Sequence, residues 1–354
     1  MTAPLPPSPF PILTSVSQLR QWRAELFRRG ETVGFVPTMG ALHEGHLSLV
    51  NASLAENDHT IVSIFVNPAQ FAPHEDLATY PRTLEADISA LSSASFPPSP
   101  SSSSSPSSSS AAAAPRRVSA LFLPPVEALY PSGITTDVNK QRGTFLEVKG
   151  LQEVMEGRSR PGFFRGVATV VIKLFNLVQP TRAYFGQKDI QQALLLRRMC
   201  LDLHVPAPLA HNLIILPTFR DKASHLALSS RNAYLTPAER RWATVLVDAL
   251  EKAETKWATQ RGEGVGRVSV DAVLSAAEAH VRSVAQQAAA EGAGVEIQLL
   301  YFALNDPREL GDLDRTGSVE KGQGAILSGA VMLGRTRLID NVVFEYELRG
   351  GGEE

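Results

Sequence analysis

The chain has 354 residues, of which 44% are hydrophobic and 20% charged, and its formal net charge is −2. This profile is typical of a globular enzyme, and the lack of a basic excess argues against a nucleic-acid-binding protein. No apolar run approaches the ~20 residues of a membrane span. The proline-rich residues 1–11 lack the basic and apolar regions of a secretory signal. The single cysteine, Cys200, fits a reducing compartment, so we expect a cytoplasmic protein in which Cys200 is a packing residue.

Short apolar strands alternate with amphipathic helices through the first two thirds of the chain. The predicted order is strand 32–37, helix 46–57, strand 60–66, helix 84–91, strand 118–123, helix 166–179, strand 183–185, helix 189–203 and strand 212–216. This alternation predicts an α/β fold with a Rossmann-like parallel sheet, covered by helices on both faces. Ligands of such sheets bind beyond the carboxyl ends of the strands.

Residues 92–115 are almost wholly Ser, Pro and Ala. Such a segment buries too little apolar surface to offset the entropy lost on ordering. We predict a disordered surface insertion between helix 84–91 and strand 118–123. A phosphorylated regulatory loop remains the functional alternative.

The pattern changes after Pro217. Thr236, Pro237 and Glu239 form a capping-box sequence, which predicts a helix running to about residue 258. A glycine-containing linker at 262–266 follows. The remaining predicted elements are helix 270–290 and strands 295–303, 324–332 and 336–346. They predict a smaller α+β lid domain, residues 217–354, after a nucleotide-binding domain, residues 1–216.

A paired-histidine segment lies at residues 34–46, where a strand enters a glycine-containing turn. His43 and His46 stand at the start of helix 46–57, where unpaired N–H groups and the helix dipole favour negative charge. We interpret the pair as half of a phosphate site. A helix cap, a surface feature or half of a metal site remain alternatives, although the spacing is not the His-Glu-x-x-His of a zinc helix.

Four further strings accompany the His-x-Gly-His segment, at residues 63–71, 80–83, 185–192 and 227–232. Together with it they resemble the pantothenate synthetase (pantoate–beta-alanine ligase) family of the HIGH-type nucleotidyl-transferring superfamily. The resemblance extends in order through residues 33–346, interrupted mainly by the Ser/Pro segment and a longer linker near residue 260.

The resemblance implies a two-step reaction that uses ATP and Mg²⁺. Pantoate and ATP give pantoyl adenylate and pyrophosphate, and beta-alanine then displaces AMP to give pantothenate. The resemblance also implies a homodimer. One alternative is a nucleotidylyltransferase, whose phosphate acceptor demands more Arg or Lys than a glutamine pair supplies. The other is a catalytically silent homologue that acts as an interaction protein.

The resemblance also implies roles for individual residues. It assigns catalysis to His43, His46, Lys188, Ser229, Ser230 and Arg231, with Pro37, Thr38, Met39, Gly186, Asp189 and Leu228 completing the ATP site. It assigns pantoate to Met39, Phe65, Gln70 and Gln192, because glutamines offer both a donor and an acceptor. Asn67 and Tyr80 are expected to orient the substrate or beta-alanine.

Two acidic residues keep two interpretations each. Asp189 resembles a ribose-binding residue, and it also suits a helix N-cap. Asp87 is a candidate for the magnesium shell or a solvated helix acid.

The sequence departs from the expected family pattern at two places. Gln187 stands where we expect Glu, which should strengthen the positive potential around Lys188. In the loop 221–228, Ser224 and His225 stand where the family often has Asp-Gly, and the loop is one residue longer than expected. Loss of that glycine predicts an altered backbone, because glycine adopts positive φ cheaply.

Overall fold

The structure is a computed structural model that describes residues 4–97, 115–262 and 266–348. The helices are α1 Val16–Arg28, α2 Glu44–Glu56, α3 Leu84–Ser93, α4 Val126–Leu129, α5 Glu156–Ser159, α6 Phe163–Val178, α7 Ile190–Asp202, α8 Pro237–Arg240, α9 Val245–Gly262 and α10 Val270–Ala290. The strands are β1 Ile12–Leu13, β2 Val33–Thr38, β3 His59–Ile64, β4 Ser95–Phe96, β5 Arg116–Arg117, β6 Ala120–Phe122, β7 Arg182–Gly186, β8 Leu213–Leu216, β9 Arg267–Ser269, β10 Ile297–Asn305, β11 Ser318–Glu320, β12 Ala325–Leu333 and β13 Thr336–Phe344.

Six strands form one parallel sheet in the order β1-β6-β3-β2-β7-β8. The Rossmann-like α/β prediction is therefore confirmed. The chain builds the sheet outward from β2 through β3 and β6, and then crosses to the other side of β2 for β7 and β8. The order reverses between β2 and β7, so a crevice opens beyond the carboxyl ends of these two strands.

Each face of this sheet is buried against helices. Phe35 is fully buried on one face, where its ring meets that of Phe175 of α6 edge to face at 6.4 Å. Val36 and Tyr184, also fully buried, belong to the cluster on the other face, with α2 and α3. Successive residues of a strand point to opposite faces, so burial on both faces explains why the strands are continuous apolar runs.

The C-terminal part has a separate antiparallel sheet in the order β10-β12-β13. Helices α9 and α10 pack together against it in their own apolar cluster. The predicted smaller α+β region is present, and helix 270–290 has the predicted bounds. A two-stranded ladder of β9 and β11 was not predicted. The domain boundary at 216 stays a prediction.

One long helix predicted from Thr236 to about 258 is wrong. The capping box forms, but α8 ends at Arg240 and α9 begins at Val245 and continues to Gly262. Between them the amides of Trp242 and Ala243 bond to carbonyls three residues back. This tighter, 3₁₀-type turn separates the two helices, and Trp242 and Ala243 are both buried in it.

Other boundaries also differ from the prediction. Helix α2 begins at Glu44, so His46 lies inside its first turn, and α6 begins at Phe163. The elements β1 and α1 were missed, although Ser15 and Gln18 form a complete capping box that announces α1.

The prediction of disorder for residues 92–115 is wrong at its edges. Helix α3 continues to Ser93, where serine hydroxyls bond back to helix carbonyls. Residues 95–96 then pair with 116–117 in the β4–β5 ladder. Phe96 supplies the apolar contact, since it packs on the α2–α3 side of the sheet. Residues 98–114 lie outside the described part of the chain.

None of the helices in the described ranges combines the length and hydropathy that a bilayer span requires. Cys200 is buried in the main core, and burial raises the pKa of its thiol to about 12. The expected packing role of this cysteine is confirmed.

Candidate active site

The two histidines lie at the N-terminus of α2, directly beyond β2. His43 is the N-cap residue and His46 the third helical residue, and their ring centroids are 4.1 Å apart. Gly45 is required between them, because a Cβ there would lie 2.9 Å from the His43 ring. The turn before them has positive φ at Gly40 and Ala41. The geometry stacks two imidazoles over the positive end of the helix dipole.

Asp87 holds this turn in place. Its carboxylate accepts hydrogen bonds from the amides of Ala41 at 3.1 Å and Leu42 at 2.8 Å, and from the Thr83 hydroxyl at 3.2 Å. The side chain is only 2% exposed, so the solvated helix acid expected from the sequence is wrong. Both carboxylate oxygens serve the backbone of the turn, which argues against a direct bond to a metal.

Both imidazoles favour the neutral form. Burial, and then the charge of Lys188, lowers the pKa of His43 to about 4. Burial, and then His43 and Lys188, lowers the pKa of His46 to about 3. The geometry agrees, because the His43 amide donates to Nδ1 of His46 at 3.4 Å and leaves the ring proton on Nε2. Among the described residues, none pairs with the buried Nδ1 of His43.

Lys188 comes from the neighbouring strand β7. The strand ends at Gly186, and a single 3₁₀ turn of residues 187–189 leads into α7. The Lys188 side chain is 19% exposed, and its ammonium lies 3.6 Å from the Asp189 carboxylate. Asp189 occupies the N-cap position of α7, yet within the described chain its side chain makes no capping hydrogen bond. The N-cap interpretation therefore holds for position alone, and the carboxylate is available to a ligand.

An amide cluster lies beyond β3, in the 3₁₀ turn of residues 68–70. Asn67 is 1% exposed, and it donates to Gln70 Oε1 at 3.0 Å and to the Gly166 carbonyl at 3.1 Å. Its own oxygen accepts from the Tyr130 hydroxyl at 2.6 Å. Asn67 is thus saturated by protein partners and orients Gln70. The Gln70 amide nitrogen faces the thioether of Met39 at 3.2 Å, a weak acceptor that a substrate oxygen can replace.

The other residues around the amide cluster are mostly apolar. Phe65 is 6% exposed and stacks on Tyr130, and Tyr80 meets Phe71 edge to face. Gln192 lines the same cavity from the first turn of α7. Its neighbour Gln191 is buried instead, and donates to two carbonyls of the 151–154 segment.

The Ser-Ser-Arg string approaches from the C-terminal part. Ser229 caps its own 3₁₀ turn, and the Ser230 hydroxyl donates to the Ala41 carbonyl at 3.1 Å in the histidine turn. Arg231 forms a two-pronged ion pair with Asp76, with N···O distances of 3.2 and 3.1 Å. An anionic ligand would compete with Asp76 for this guanidinium. Arg82, by contrast, is exposed and lies outside the cavity lining.

The altered loop 221–228 keeps the backbone that a glycine would favour. His225 has φ +59°, in the left-handed region, and its side chain is exposed. Asp221 stabilises the loop by accepting bonds from the amides of Ala223 and Ser224. A non-glycine residue at this φ carries backbone strain on the order of 1–2 kcal/mol.

These elements surround one cavity of about 1600 Å³ at the sheet's switch point. Its walls include every residue assigned above to catalysis, ATP, pantoate or orientation, namely Pro37, Thr38, Met39, His43, His46, Phe65, Asn67, Gln70, Tyr80, Gly186, Lys188, Asp189, Gln192, Leu228, Ser229, Ser230 and Arg231. A pocket for one drug-sized ligand has about 300–1,000 Å³. The cavity can therefore hold a nucleotide and a small second substrate together. The individual residue roles stay predictions.

Sequence reasoning missed several residues of this cavity. Thr218 and Phe219 follow the end of β8 and line the wall, and the rule on strand carboxyl ends could have found them. The Thr218 hydroxyl is buried without a hydrogen-bond partner in the described ranges. The roles of Asp76 and Asn341 could not be predicted from the sequence, because the partner of an isolated Asp or Asn is known only once the chain is folded.

The residues present do not form a metal cage. Across residues 4–97, 115–262 and 266–348, no group of three or more His, Cys, Asp or Glu side chains is placed to hold a metal ion. Mg²⁺ is usually bound by substrate phosphates together with one or two protein carboxylates, and not by a cage made of protein alone. The site fits a metal that arrives with a nucleotide.

A Rossmann-like sheet with imidazoles, a lysine and a Ser-Ser-Arg string around its switch point defines an enzyme that acts on a nucleoside triphosphate. The model of the pantoate–beta-alanine ligase family matches residues 11–343. A pantothenate synthetase of Moorella thermoacetica is 42% identical over 94% of this chain and 98% of its own. The pantoate–beta-alanine ligase of Saccharomyces cerevisiae is 40% identical over 94% of this chain and 99% of its own.

Solved structures agree with these relatives. A pantothenate synthetase from Thermus thermophilus superposes with a TM-score of 0.73 at 38% identity, covering 94% of this chain and 99% of its own. A pantoate–beta-alanine ligase from Francisella tularensis, complexed with beta-gamma ATP and beta-alanine, gives a TM-score of 0.62 at 29% identity over 96% and 99% of the two chains. The chain belongs to the pantoate–beta-alanine ligase family.

Proposed function

We propose that the protein condenses pantoate with beta-alanine, using MgATP, through a pantoyl-adenylate intermediate. The observation that carries the proposal is that one cavity is lined by two chemically different sets of groups. The first set comprises imidazole N–H groups, the α2 N-terminus and Lys188. The second set comprises Gln70, Gln192, Met39 and Phe65. A triphosphate suits the first set, and a small branched hydroxy acid suits the second.

In the first step, a pantoate carboxylate oxygen attacks the α-phosphorus of ATP, and the bond from that phosphorus to the bridging oxygen of pyrophosphate breaks. Positioning and charge neutralisation carry most of the catalysis of such a displacement. Lys188 supplies the positive charge, and the neutral rings of His43 and His46 supply N–H donors. Ser229, Ser230 and Arg231 hold the leaving pyrophosphate, which takes the place of Asp76 on Arg231. Magnesium bound to the phosphates would neutralise part of their charge.

In the second step, the amine of beta-alanine attacks the acyl carbon of pantoyl adenylate. The bond from that carbon to the AMP oxygen breaks, AMP leaves with the electron pair, and the amine loses a proton. Asn67 acts by fixing Gln70, which holds the pantoyl group beside the α-phosphate. Tyr80 completes the wall next to Ser230.

The test is exchange of labelled pyrophosphate into ATP. Exchange should require pantoate and Mg²⁺ but not beta-alanine, because adenylation is a separate half-reaction. Adding a set of phosphorylated acceptors tests the nucleotidylyltransferase alternative in the same assay. Exchange that is equal with and without pantoate, or absent in folded protein that binds ATP, would contradict the proposal.

Recognition of pantoate is tested separately from phosphate chemistry. Gln70→Ala or Gln192→Ala should weaken pantoate binding far more than ATP binding, since each leaves substrate polar groups unpaired. Gln191→Ala is the matched control for stability, because the amide of this buried neighbour is already bonded to backbone groups of residues 151–156. If calorimetric titrations show equal losses of affinity for pantoate and for ATP, the assignment of these two glutamines to pantoate is wrong.

We further propose a homodimer in the cytoplasm. Family membership supports the dimer. The single, buried thiol of Cys200 supports a reducing location. Light scattering should give about twice the chain mass of 38.2 kDa. A monomer at micromolar concentration would contradict the dimer, and secretion of a tagged protein would contradict the location.

A further inference from the structure

The backbone that carries Lys188 is fastened by a residue of the C-terminal sheet. Asn341 of β13 donates from Nδ2 to the carbonyl of Gln187 at 2.8 Å and to the carbonyl of Lys188 at 3.0 Å. Its Oδ1 accepts from the Gln187 side chain at 3.3 Å. Two carbonyls can only accept, so these contacts fix the orientation of the Asn341 amide.

Burial makes these bonds consequential. Asn341 is 3% exposed, so water cannot replace its amide without a rearrangement. The turn it holds begins at the cavity wall, since Gly186 lines the cavity and a Cβ built on it would meet no described atom within 4 Å. The three Asn341 bonds therefore hold this turn where it borders open space.

The same strand also fastens the second phosphate-handling segment. Asp340, 4% exposed, forms a two-pronged ion pair with Arg220, which opens the loop leading to Ser229. The backbone N–H of Asn341 in turn donates to the Asp340 carboxylate at 2.8 Å. Two consecutive residues of β13 thus connect the Lys188 turn with the Ser-Ser-Arg loop.

We propose that Asn341 is a positioning residue, which sets the Lys188 ammonium for the nucleotide phosphates through the backbone of residues 187–188. Gln187 belongs to the same arrangement, because its neutral amide donates to Asn341 where a carboxylate could not. This assigns a structural purpose to the departure from the expected Glu. The proposal rests on the ATP half of the proposed function and is independent of which acid accepts the adenylyl group.

A double-mutant cycle with Lys188→Met tests the proposal, read as the MgATP dissociation constant by calorimetry. Asn341→Ala should weaken ATP binding by about 10-fold when Lys188 is present, within the range of measured couplings between neighbours. In the Lys188→Met background the same change should have almost no effect, because the group that Asn341 positions is gone.

Asn305→Ala is the matched control. Asn305 is a fully buried amide of the same sheet, and it bonds to the Leu310 carbonyl and Asp312 rather than to the turn of residues 187–189. It should lower the melting temperature without changing ATP affinity in either background. If Asn341→Ala fails to fold, Asn341→Ser, which keeps one donor, is taken through the same cycle. Equal losses of affinity in both Lys188 backgrounds, or none in a folded variant, would overturn the proposal.

Discussion

Gly166 is the position where one added methyl group should separate pantoate recognition from ATP binding. It lies in the first turn of α6, pressed against the turn that carries Gln70. A Cβ built on Gly166 would lie 2.2 Å from the Ala69 carbonyl oxygen and 2.6 Å from the backbone nitrogen of Gln70. Ordinary contacts of this kind begin near 3.4 Å, so Gly166→Ala must move helix and turn apart by about 1 Å.

This displacement affects the residues proposed to hold pantoate. The Gly166 carbonyl accepts the Asn67 bond of 3.1 Å, and Asn67 in turn orients Gln70. A misplacement of about 1 Å can cost about 10²-fold in rate, so kcat/KM for pantoate should fall by that order. Overpacking should lower the free energy of unfolding by about 1–3 kcal/mol. The higher helix propensity of Ala than of Gly offsets about 1 kcal/mol of this loss, so the protein should still fold.

Pyrophosphate exchange at varied pantoate gives the kinetic effect, and calorimetry gives ATP affinity, which should not change. Gly262→Ala is the control, because it also changes a helical glycine but its Cβ would meet no atom within 4 Å in the described chain. An unchanged kcat/KM for pantoate in folded Gly166→Ala would show that the turn absorbs the methyl group without moving Gln70, and the reasoning would be wrong.

Three further predictions concern the histidines, the altered loop and the insertion. Between pH 6.5 and about 4 the unfolded chain protonates His43 and His46 while the folded chain, with pKa values of about 4 and 3, keeps them neutral. The contribution of this pair to the free energy of unfolding is therefore fully present above pH 6.5 and is lost as the pH falls. In urea titrations at several pH values, a variant with Gln at both positions should lose less stability on acidification than the unaltered protein. Equal losses would contradict a neutral histidine pair. His225→Gly should raise the free energy of unfolding by about 1 kcal/mol, since it relieves positive φ at an exposed site, whereas Ala223→Gly in the same loop should lower it. Replacing residues 98–114 with a short Gly/Ser connector should leave ligase rate and melting temperature nearly unchanged, because closure entropy depends weakly on loop length; loss of activity in a folded variant would reveal a role for the segment.

Local patterns were enough to predict much of the fold and the location of the candidate site. Parallel strands bring their carboxyl ends to one edge, so the segments after β2, β3 and β7 had to meet there. Helix 270–290 was predicted with correct bounds because its apolar period is uninterrupted. The break at Trp242 could not be predicted, since a tertiary contact there overrides a good helical sequence.

Interactions between distant residues account for what the sequence did not reveal. Asp87 looks like any acid on an amphipathic helix, and only the folded chain brings it under the amides of Ala41 and Leu42. Asp76 and Arg231 are separated by 155 positions, and nothing local to either indicates the ion pair between them. Asn67 was expected to orient the substrate or beta-alanine, and its bond from the hydroxyl of Tyr130, 63 positions away, is visible only in the folded chain.

The roots of the Ser/Pro segment make it a convenient place to attach other proteins. Phe96 and Arg116 face each other in the β4–β5 ladder, so the chain departs and returns at adjacent points. The Arg116 guanidinium bonds to carbonyls of Leu54, Ala55 and Asn57, at the end of α2 opposite the histidines. With 13 residues, α2 sets these roots about 20 Å from the imidazoles. A fluorescent reporter or an affinity tag inserted between residues 97 and 115 would thus be attached at the end of α2 opposite the histidines, and neither chain terminus would have to carry it.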